Sequence, residues 1–170
     1  MTKPYDPVER LMDEHRQYEK RMDELKAVIG NRDARLGVTE ARKVAEFAQF
    51  FESEVEGFHG RKEETVLFPA LTRYLPSPGP IEVMIADHRE MRANETEMKR
   101  SAAKLESDGE SPEARGRVVS AGTHLISSLL NHIQKEDNVL FPTARNVLDA
   151  KEWKEVVEGC LAIERERGRA

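Results

Sequence analysis

The sequence predicts an all-α fold: an antiparallel up-down-up-down four-helix bundle with a short C-terminal fifth helix. Charged residues make up 35% of the chain and aromatic residues only 6%, a composition typical of long amphipathic helices. Apolar residues recur at steps of three and four, and segments rich in proline and glycine separate the long stretches. We expect one domain over residues 1–170, with the bundle at 7–148 and the additional helix at 150–166.

The first helix is predicted to begin beside Asp6, which can cap it, with Pro7 in the first helical position and Glu9 completing a capping box. It is expected to end near Ile29, before a break at residues 30–33. A histidine lies among the apolar residues of its core stripe. The stripe consists of Leu11, His15, Tyr18, Met22, Leu25 and Ile29.

The second helix is predicted to begin at a Thr39 cap and to reach about Leu75, because residues 76–80 contain three prolines and cannot continue a helix. Pro69 lies near its end and is expected to kink or end it. The face expected to pack in the core consists of Val44, Phe47, Ala48, Phe51, Val55, Phe58 and Val66.

The third helix is predicted from about Pro80 to Leu105, and the fourth from a Ser111 cap to about Leu148, with Pro142 expected to kink or end the fourth. Both core faces again contain histidine. The third-helix stripe consists of Ile81, Met84, His88, Met91, Glu95, Met98, Ala102 and Leu105. On the fourth helix, His132 and Glu136 lie between Leu125, Leu129 and Val139.

A capping box formed by Asp149 and Glu152 predicts the start of the fifth helix. Cys160 lies on this helix and is expected to be a small apolar residue rather than a regulatory thiol. Trp153 looks exposed from the sequence pattern. The fifth helix is therefore the expected interface of a possible homo-oligomer, or else a cover for one end of the bundle.

Composition also excludes several classes of function. The net charge of −5 comes from 32 acidic and 27 basic residues interspersed along the chain, so no basic face is available for nucleic acid or anionic lipid. A single cysteine can form neither an internal disulfide nor a thiolate zinc site. Without an apolar run typical of a signal peptide or a membrane span, we expect a cytoplasmic protein with no nucleic-acid or membrane partner.

An internal repeat is the most informative feature of the sequence. Residues 59–69 (HGRKEETVLFP) and 132–142 (HIQKEDNVLFP) share His, Lys, Glu, Val, Leu, Phe and Pro at an offset of 73 residues. His15 and His88 have the same offset, and each follows an acidic residue. The chain is therefore interpreted as two copies of one helical hairpin, which would build a bundle with approximate two-fold symmetry.

Polar residues at core positions predict a metal site. In each H-x-x-x-E pair the two side chains lie about one helical turn apart on one face and can reach the same ion. Carboxylates buried without partners lose several kcal/mol of solvation, and metal ions would neutralise them. The predicted ligands are His15, His59, Glu63, His88, His132 and Glu136.

The donor set narrows the choice of metal. Imidazole and carboxylate without thiolate suit iron, manganese or zinc, and two carboxylates able to bridge favour a dinuclear centre, with iron as the first choice. Buried histidines satisfied by ordinary hydrogen bonds are the alternative. The ferritin-like class would need paired E-x-x-H motifs; Glu56 with His59 gives one, but the position equivalent to Glu56 in the second half is Leu129.

With these residues and the Leu-Phe-Pro tripeptide after each pair, the sequence resembles the hemerythrin-like (HHE cation-binding) family over about residues 7–148. The resemblance implies two non-haem iron ions with an oxo or hydroxo bridge. It also implies roles by position: Glu63 and Glu136 would bridge the ions, His59 and His132 would be terminal ligands, and His15 and His88 would complete the coordination.

One departure limits the functions that the resemblance implies. Oxygen-carrying hemerythrins have a second histidine four residues after the third-helix ligand, where this sequence has Arg92, so the resemblance does not extend to reversible oxygen carriage. A related group that repairs iron–sulfur centres is usually described with an added cysteine-bearing N-terminal segment, which these residues do not contain. The remaining hypotheses are binding or sensing of oxygen, nitric oxide, peroxide or iron; a di-iron enzyme for peroxide disproportionation or oxygen-dependent oxidation; and iron storage or delivery.

Residues beside the predicted ligands have less specific patterns. Tyr18 is expected to be a core tyrosine with a satisfied hydroxyl; the alternatives are a hydrogen bond from Tyr18 to an iron-bound oxygen species, or a role as a ligand. His124 is expected to be a core histidine, or one that supports a ligand, because it is too far along its helix to share the ion of His132. Four further residues, expected mainly to form solvated surface, are Lys62, Glu64, Lys135 and Asp137.

Overall fold

The computed structural model describes residues 4–30, 37–108 and 111–168. These residues form five helices and no strand, which confirms the all-α prediction. No helix among them is long and apolar enough to cross a membrane. We number the helices α1 (Pro7–Gly30), α2 (residues 38–71), α3 (Pro80–Asp108), α4 (residues 112–147) and α5 (Ala150–Glu166).

Most of the predicted helix starts are confirmed. Asp6 accepts a hydrogen bond from the backbone N–H of Glu9 at 3.0 Å, and Ser111 accepts one from that of Ala114 at 3.2 Å. Asp149 and Glu152 form the expected capping box of α5. These side chains satisfy N–H groups that have no partner within the first turn of the helix.

The predicted cap of α2 is wrong by two residues. The helix begins at Val38, and Gly37 is the capping residue. The reason is Glu40, whose carboxylate reaches back to accept the backbone N–H of Gly37 at 3.1 Å, the reciprocal half of a capping box. The break predicted after α1 falls on residues 31–33, and part of the break before α4 falls on 109–110; both lie outside the described residues.

Neither internal proline ends its helix. A π-helical segment precedes each one, at Glu63–Leu67 in α2 and at Glu136–Leu140 in α4. In each segment the following phenylalanine donates its backbone N–H to the carbonyl of the glutamate five residues back. The wider turn accommodates a proline ring that a regular α-helix would exclude, so α2 continues to residue 71 and α4 to residue 147.

The π-helical segments also change which residues face the core. Val139, predicted to be on the core face, is 58% exposed, and its neighbour Leu140 is buried instead. In the same way Val66 is only half-buried whereas Leu67 is buried. The wider turn changes the rotation about the helix axis, and the sequence pattern had assumed regular α-helical spacing.

Two apolar clusters flank the level of the predicted ligands. The larger contains residues of α1, α2, α3 and α4, including the buried Met22, Phe51, Met98 and Leu125. The smaller lies towards the Leu-Phe-Pro end and adds residues of α5. The polar residues between the clusters are therefore enclosed by apolar packing on both sides.

Helix α5 packs against α1 and α2. Cys160 is completely buried in the smaller cluster, and burial raises the pKa of its thiol to about 12, which confirms the predicted apolar role. Trp153 is half-buried against the same cluster, under the guanidinium of Arg145. The sequence-based view of Trp153 as exposed is therefore wrong.

Candidate metal centre

All six predicted ligands meet in the interior, and none is more than 3% exposed. Their imidazoles form two pairs. The Nε2 atoms of His15 and His59 are 3.1 Å apart, and those of His88 and His132 are 3.0 Å apart. Imidazole nitrogens bound to one metal at about 2.1 Å and at right angles are also about 3.0 Å apart. Each pair therefore has the spacing of two neighbouring ligands on one ion.

The two carboxylates lie between the histidine pairs. Glu63 Oε1 is 3.1 Å from His59 Nε2, and Glu63 Oε2 is 3.4 Å from His88 Nε2. Glu136 Oε1 is 3.3 Å from His132 Nε2, and Glu136 Oε2 is 3.2 Å from His15 Nε2. Each carboxylate thus presents one oxygen to each pair, which is the arrangement of a bridging ligand.

The chemistry of this donor set fits bound cations. All four oxygens of Glu63 and Glu136 are buried and lack a hydrogen-bond partner among the described residues. Burial alone would raise the pKa of Glu63, but His59 and His88 lower it well below the ordinary value. An ionised carboxylate without hydrogen bonds is strongly unfavourable in an apolar interior, so each carboxylate needs positive charge at both oxygens.

The imidazoles provide that charge only when they hold extra protons. Burial alone would lower the pKa of His59, but Glu63 and Glu14 raise it to about 10. Glu136 and Asp87 likewise raise the pKa of His132 to about 10 against the effect of burial. A metal ion supplies the same positive charge and binds neutral imidazole, so metal and protons compete for these nitrogens.

Each histidine is oriented by an acidic residue on a neighbouring helix. His15 Nδ1 is 2.7 Å from Asp137 Oδ1, and His59 Nδ1 is 2.8 Å from Glu14 Oε2. The other pair has the same arrangement: His88 Nδ1 is 2.6 Å from Glu64 Oε1, and His132 Nδ1 is 3.2 Å from Asp87 Oδ2.

Burial would raise the pKa of these four acids, but the imidazoles and nearby cations lower all four. Ionised carboxylates only accept hydrogen bonds, so each Nδ1–H donates and Nε2 is the nitrogen available to a metal.

Sequence reasoning missed these acids. Glu64 and Asp137 were assigned to solvated surface, yet the Asp137 side chain is only 8% exposed. A signal was available: Glu14 and Asp87 immediately precede the single histidines, and all four acids are retained at the 73-residue offset. Their role depends on contacts across helices, which spacing along one helix does not reveal.

The phenylalanine of each Leu-Phe-Pro tripeptide stacks on a histidine of the other hairpin. The ring of Phe141 lies 5.5 Å from that of His15, and the ring of Phe68 lies 5.9 Å from that of His88, both nearly parallel. Since each phenylalanine also donates its N–H to the carbonyl of Glu63 or Glu136, the tripeptide fixes a ligand on its own helix and packs against one on another.

The comparison with protein families agrees with this geometry. Residues 6–144 match the hemerythrin HHE cation-binding domain. This chain belongs to the hemerythrin HHE family. Over 88 residues it is 33% identical to proteins named iron–sulfur cluster repair protein YtfE from Cronobacter sakazakii, Escherichia coli and Shigella boydii. The match covers 51% of the chain and 40% of each of these relatives, so the chain spans about two fifths of their length.

In this hemerythrin-family chain, Arg92 contacts a residue that orients His88, one of the predicted ligands. Its guanidinium contacts Glu56 at 2.6 Å and Glu64 at 3.3 Å, and Glu64 accepts the hydrogen bond of His88. Glu56, the residue of the rejected ferritin-like motif, therefore pairs with arginine. It lies near His88 but is not among the six converging ligands.

The two remaining candidates are not ligands in this arrangement. The Tyr18 hydroxyl donates to the backbone carbonyl of Glu54 at 3.0 Å while its ring packs edge-on against His59, which confirms the satisfied core tyrosine. His124 is exposed to solvent, so its predicted core or supporting position is wrong. Its helix turns this position away from the core face that carries Leu125 and Leu129.

Proposed function

We propose that this hemerythrin-family chain holds two iron ions in a carboxylate-bridged centre, with manganese or zinc as the alternative metals. His15 and His59 would bind one ion, and His88 and His132 the other. Glu63 and Glu136 would each give one oxygen to each ion. The observation that carries this proposal is the placement of the four buried carboxylate oxygens, which have no hydrogen-bond partner within the described ranges of the chain and each face one histidine.

The same proposal includes the arrangement of the chain around the centre. Four helices connected in an antiparallel up-down-up-down order would bring the two halves to one level with approximate two-fold symmetry. The shared 73-residue offset of ligands, supporting acids and stacked phenylalanines supports this arrangement.

We propose reversible binding or sensing of oxygen, nitric oxide or peroxide as the primary function. Two histidines and two bridging oxygens per ion would leave coordination positions free for a small molecule. A surface cleft includes Glu14 and Tyr18, both of which contact His59, so a small molecule would approach on this side. The iron would supply redox chemistry, while the protein would bind and orient the metal and exclude bulk water.

Iron delivery is the second candidate, because the matching relatives from Cronobacter sakazakii and Escherichia coli are named for iron–sulfur cluster repair. The enzymatic alternative has less support, because the hydroxyl of Tyr18, the proton donor that it would use, donates a hydrogen bond to the backbone carbonyl of Glu54. Delivery would require that at least one ion leave the protein readily. Binding or sensing would require that both ions stay bound while the small molecule exchanges.

Anaerobic reconstitution with ferrous iron tests the proposal. We expect about two iron ions per chain, and visible spectra that change on adding oxygen, nitric oxide or peroxide. A fully reversible change with oxygen would support carriage despite Arg92, and gas evolution with peroxide would support the enzyme. Transfer of iron to an apo iron–sulfur acceptor would support delivery. A parent protein that binds fewer than two metal ions of any kind would refute the dinuclear centre.

A further inference from the structure

Lys62 is a buried cation next to the proposed centre. Its side chain is 0% exposed, whereas its counterpart in the second half, Lys135, is 44% exposed. Lys62 Nζ lies 2.5 Å from Glu14 Oε1 and 3.1 Å from Glu164 Oε1, above the ring of Phe58. Water screens a buried charge much less than an exposed one, so the two lysines act on their surroundings with different strength.

Lys62 reaches the centre through Glu14. One oxygen of Glu14 contacts Lys62, and the other accepts the hydrogen bond of His59 Nδ1 at 2.8 Å. A carboxylate that also binds an ammonium group attracts the imidazole proton less strongly, which makes Nε2 of His59 a poorer metal ligand. The buried positive charge also repels a metal cation directly. Both effects weaken metal binding at the His15–His59 pair.

The second half has a similar contact with a weaker effect. Asp87 Oδ2 is 3.2 Å from His132 Nδ1 and 2.7 Å from Lys135 Nζ, but water reaches Lys135 and screens its charge. This half also has Glu56 near His88, but Arg92 contacts Glu56 at 2.6 Å and offsets its charge. The two halves therefore differ chiefly in whether the lysine beside the supporting acid is buried or exposed.

The C-terminal helix causes this difference. Glu164 of α5 is 1% exposed, and its Oε1 lies 3.1 Å from Lys62 Nζ. Its Oε1 also lies 3.5 Å from Arg10 Nε and accepts the Tyr5 hydroxyl at 3.4 Å. Glu164 partly compensates the charge of Lys62 and so limits its effect on the centre.

We propose that Lys62 is a positioning residue that, through Glu14, makes the ion at His15 and His59 the more weakly held of the two, and that Glu164 moderates this effect. The inference depends on the proposed two-metal function. It gives the centre one exchangeable ion and one retained ion. A purely structural ion pair, which would only hold α5 in place, is the competing explanation.

Titration of the metal-free protein with ferrous iron tests this inference, done anaerobically at pH 7.5 in competition with a coloured chelator. The parent protein should bind two ions with different dissociation constants. Lys62→Met should tighten the weaker site about tenfold, whereas Glu164→Gln should weaken it about tenfold because the lysine charge is then uncompensated. Lys62→Arg retains the positive charge and should therefore keep the difference between the two dissociation constants seen in the parent protein.

Two controls separate the electrostatic effect from general changes in the fold. Lys135→Met is the matched variant in the second half and should change either constant less than about threefold, since its charge is already screened. Lys154→Met removes an exposed lysine of α5, 75% exposed, and should change neither constant. Circular dichroism and thermal unfolding of every variant establish that it is folded.

The electrostatic explanation predicts that Lys62→Met and Glu164→Gln change the affinity of the weaker site in opposite directions, and a purely structural ion pair does not. Loss of packing would shift the affinity in the same direction for Lys62→Met and Glu164→Gln, and such a result would overturn the inference, as would unchanged constants with two ions bound. If Lys62→Met does not fold, the double variant Lys62→Met/Glu164→Leu removes both buried charges and should still bring the two constants closer together. A parent protein that fails to bind two ions would refute the proposed function instead.

Discussion

The two halves of the molecule share the residues proposed as metal ligands but differ in the residues around them. The six proposed ligands, the four supporting acids and the two stacked phenylalanines are all matched at the 73-residue offset. In contrast, Lys62 is buried under α5 and Lys135 faces solvent. Two matching halves of the sequence can therefore keep the same inner geometry while a single added helix makes their surroundings chemically different.

The backbone of the two halves differs as well. Helix α2 has a second π-helical segment, Phe51–Gly60, whereas α4 is α-helical to Lys135. Cβ atoms at Gly57 and Gly60 would lie 3.0 and 3.2 Å from carbonyl oxygens five residues back. Glycine tolerates this crowding, and the corresponding residues of the second half have large side chains. The difference lies outside the ligands and leaves their pairing intact.

The largest expected effect is on metal content, and it concerns the two glutamates that the halves have in common. Glu63→Ala and Glu136→Ala should each reduce the metal content from about two ions per chain to below one, and lower the unfolding temperature of the reconstituted protein, because in the proposed centre each carboxylate would neutralise and link both ions. Elemental analysis and thermal unfolding measure this. If either variant still binds two ions, that residue is not a bridging ligand.

The acids that orient the histidines test whether the two halves bind metal with equal strength. Glu14→Gln and Asp87→Asn remove matched carboxylates and should each weaken ferrous iron binding about 10- to 100-fold. Glu14→Gln should have the larger effect, because it also leaves Lys62 with Glu164 as its remaining acidic contact. Equal losses in competition titrations would contradict the difference between the two sides.

The two phenylalanine rings that stack on histidines should contribute equally to the stability of the two halves. Phe68→Leu and Phe141→Leu each remove an aromatic contact to a histidine and should destabilise the protein by about 1–2 kcal/mol, by similar amounts. Urea unfolding of the reconstituted variants measures this. A loss several times larger for one phenylalanine would mean that the apolar ends of the two halves are not equivalent.

The smallest effect concerns Glu95, whose counterpart in the first half is Met22. Burial raises the pKa of Glu95 to about 7 despite the neighbouring Lys99. Because the folded state holds this proton more tightly than the unfolded chain does, the contribution of Glu95 to stability is present below about pH 4.5 and is lost as the pH rises through 7.

Glu95→Met should therefore raise the free energy of unfolding more at pH 8 than at pH 5. The difference between the two pH values should be about 1 kcal/mol after allowance for partial solvent access. Urea unfolding of the parent and the variant at both pH values measures the difference. A gain that does not depend on pH would indicate improved packing rather than removal of a buried charge.

The convergence of the six proposed ligands could be predicted because two independent patterns agree on these residues. Helical periodicity places His15 and His88 on core faces, and the repeat assigns each a partner in the other half. The proline-related π-helical segments could not be predicted in the same way. The pattern assumed regular α-helical spacing, so it placed Val139 in the core, whereas the wider turn exposes it.

The sequence by itself determined the helices, the two-fold repeat and the six residues that converge, because these depend on spacing along each helix and on the offset between the halves. Only the tertiary structure decided which neighbours support the ligands and which lysine is buried. Glu64, Asp137 and Lys62 look like ordinary surface residues in the sequence. Their environments depend on helices that are distant along the chain, and the contacts made across those helices are what give their charges an effect on the site.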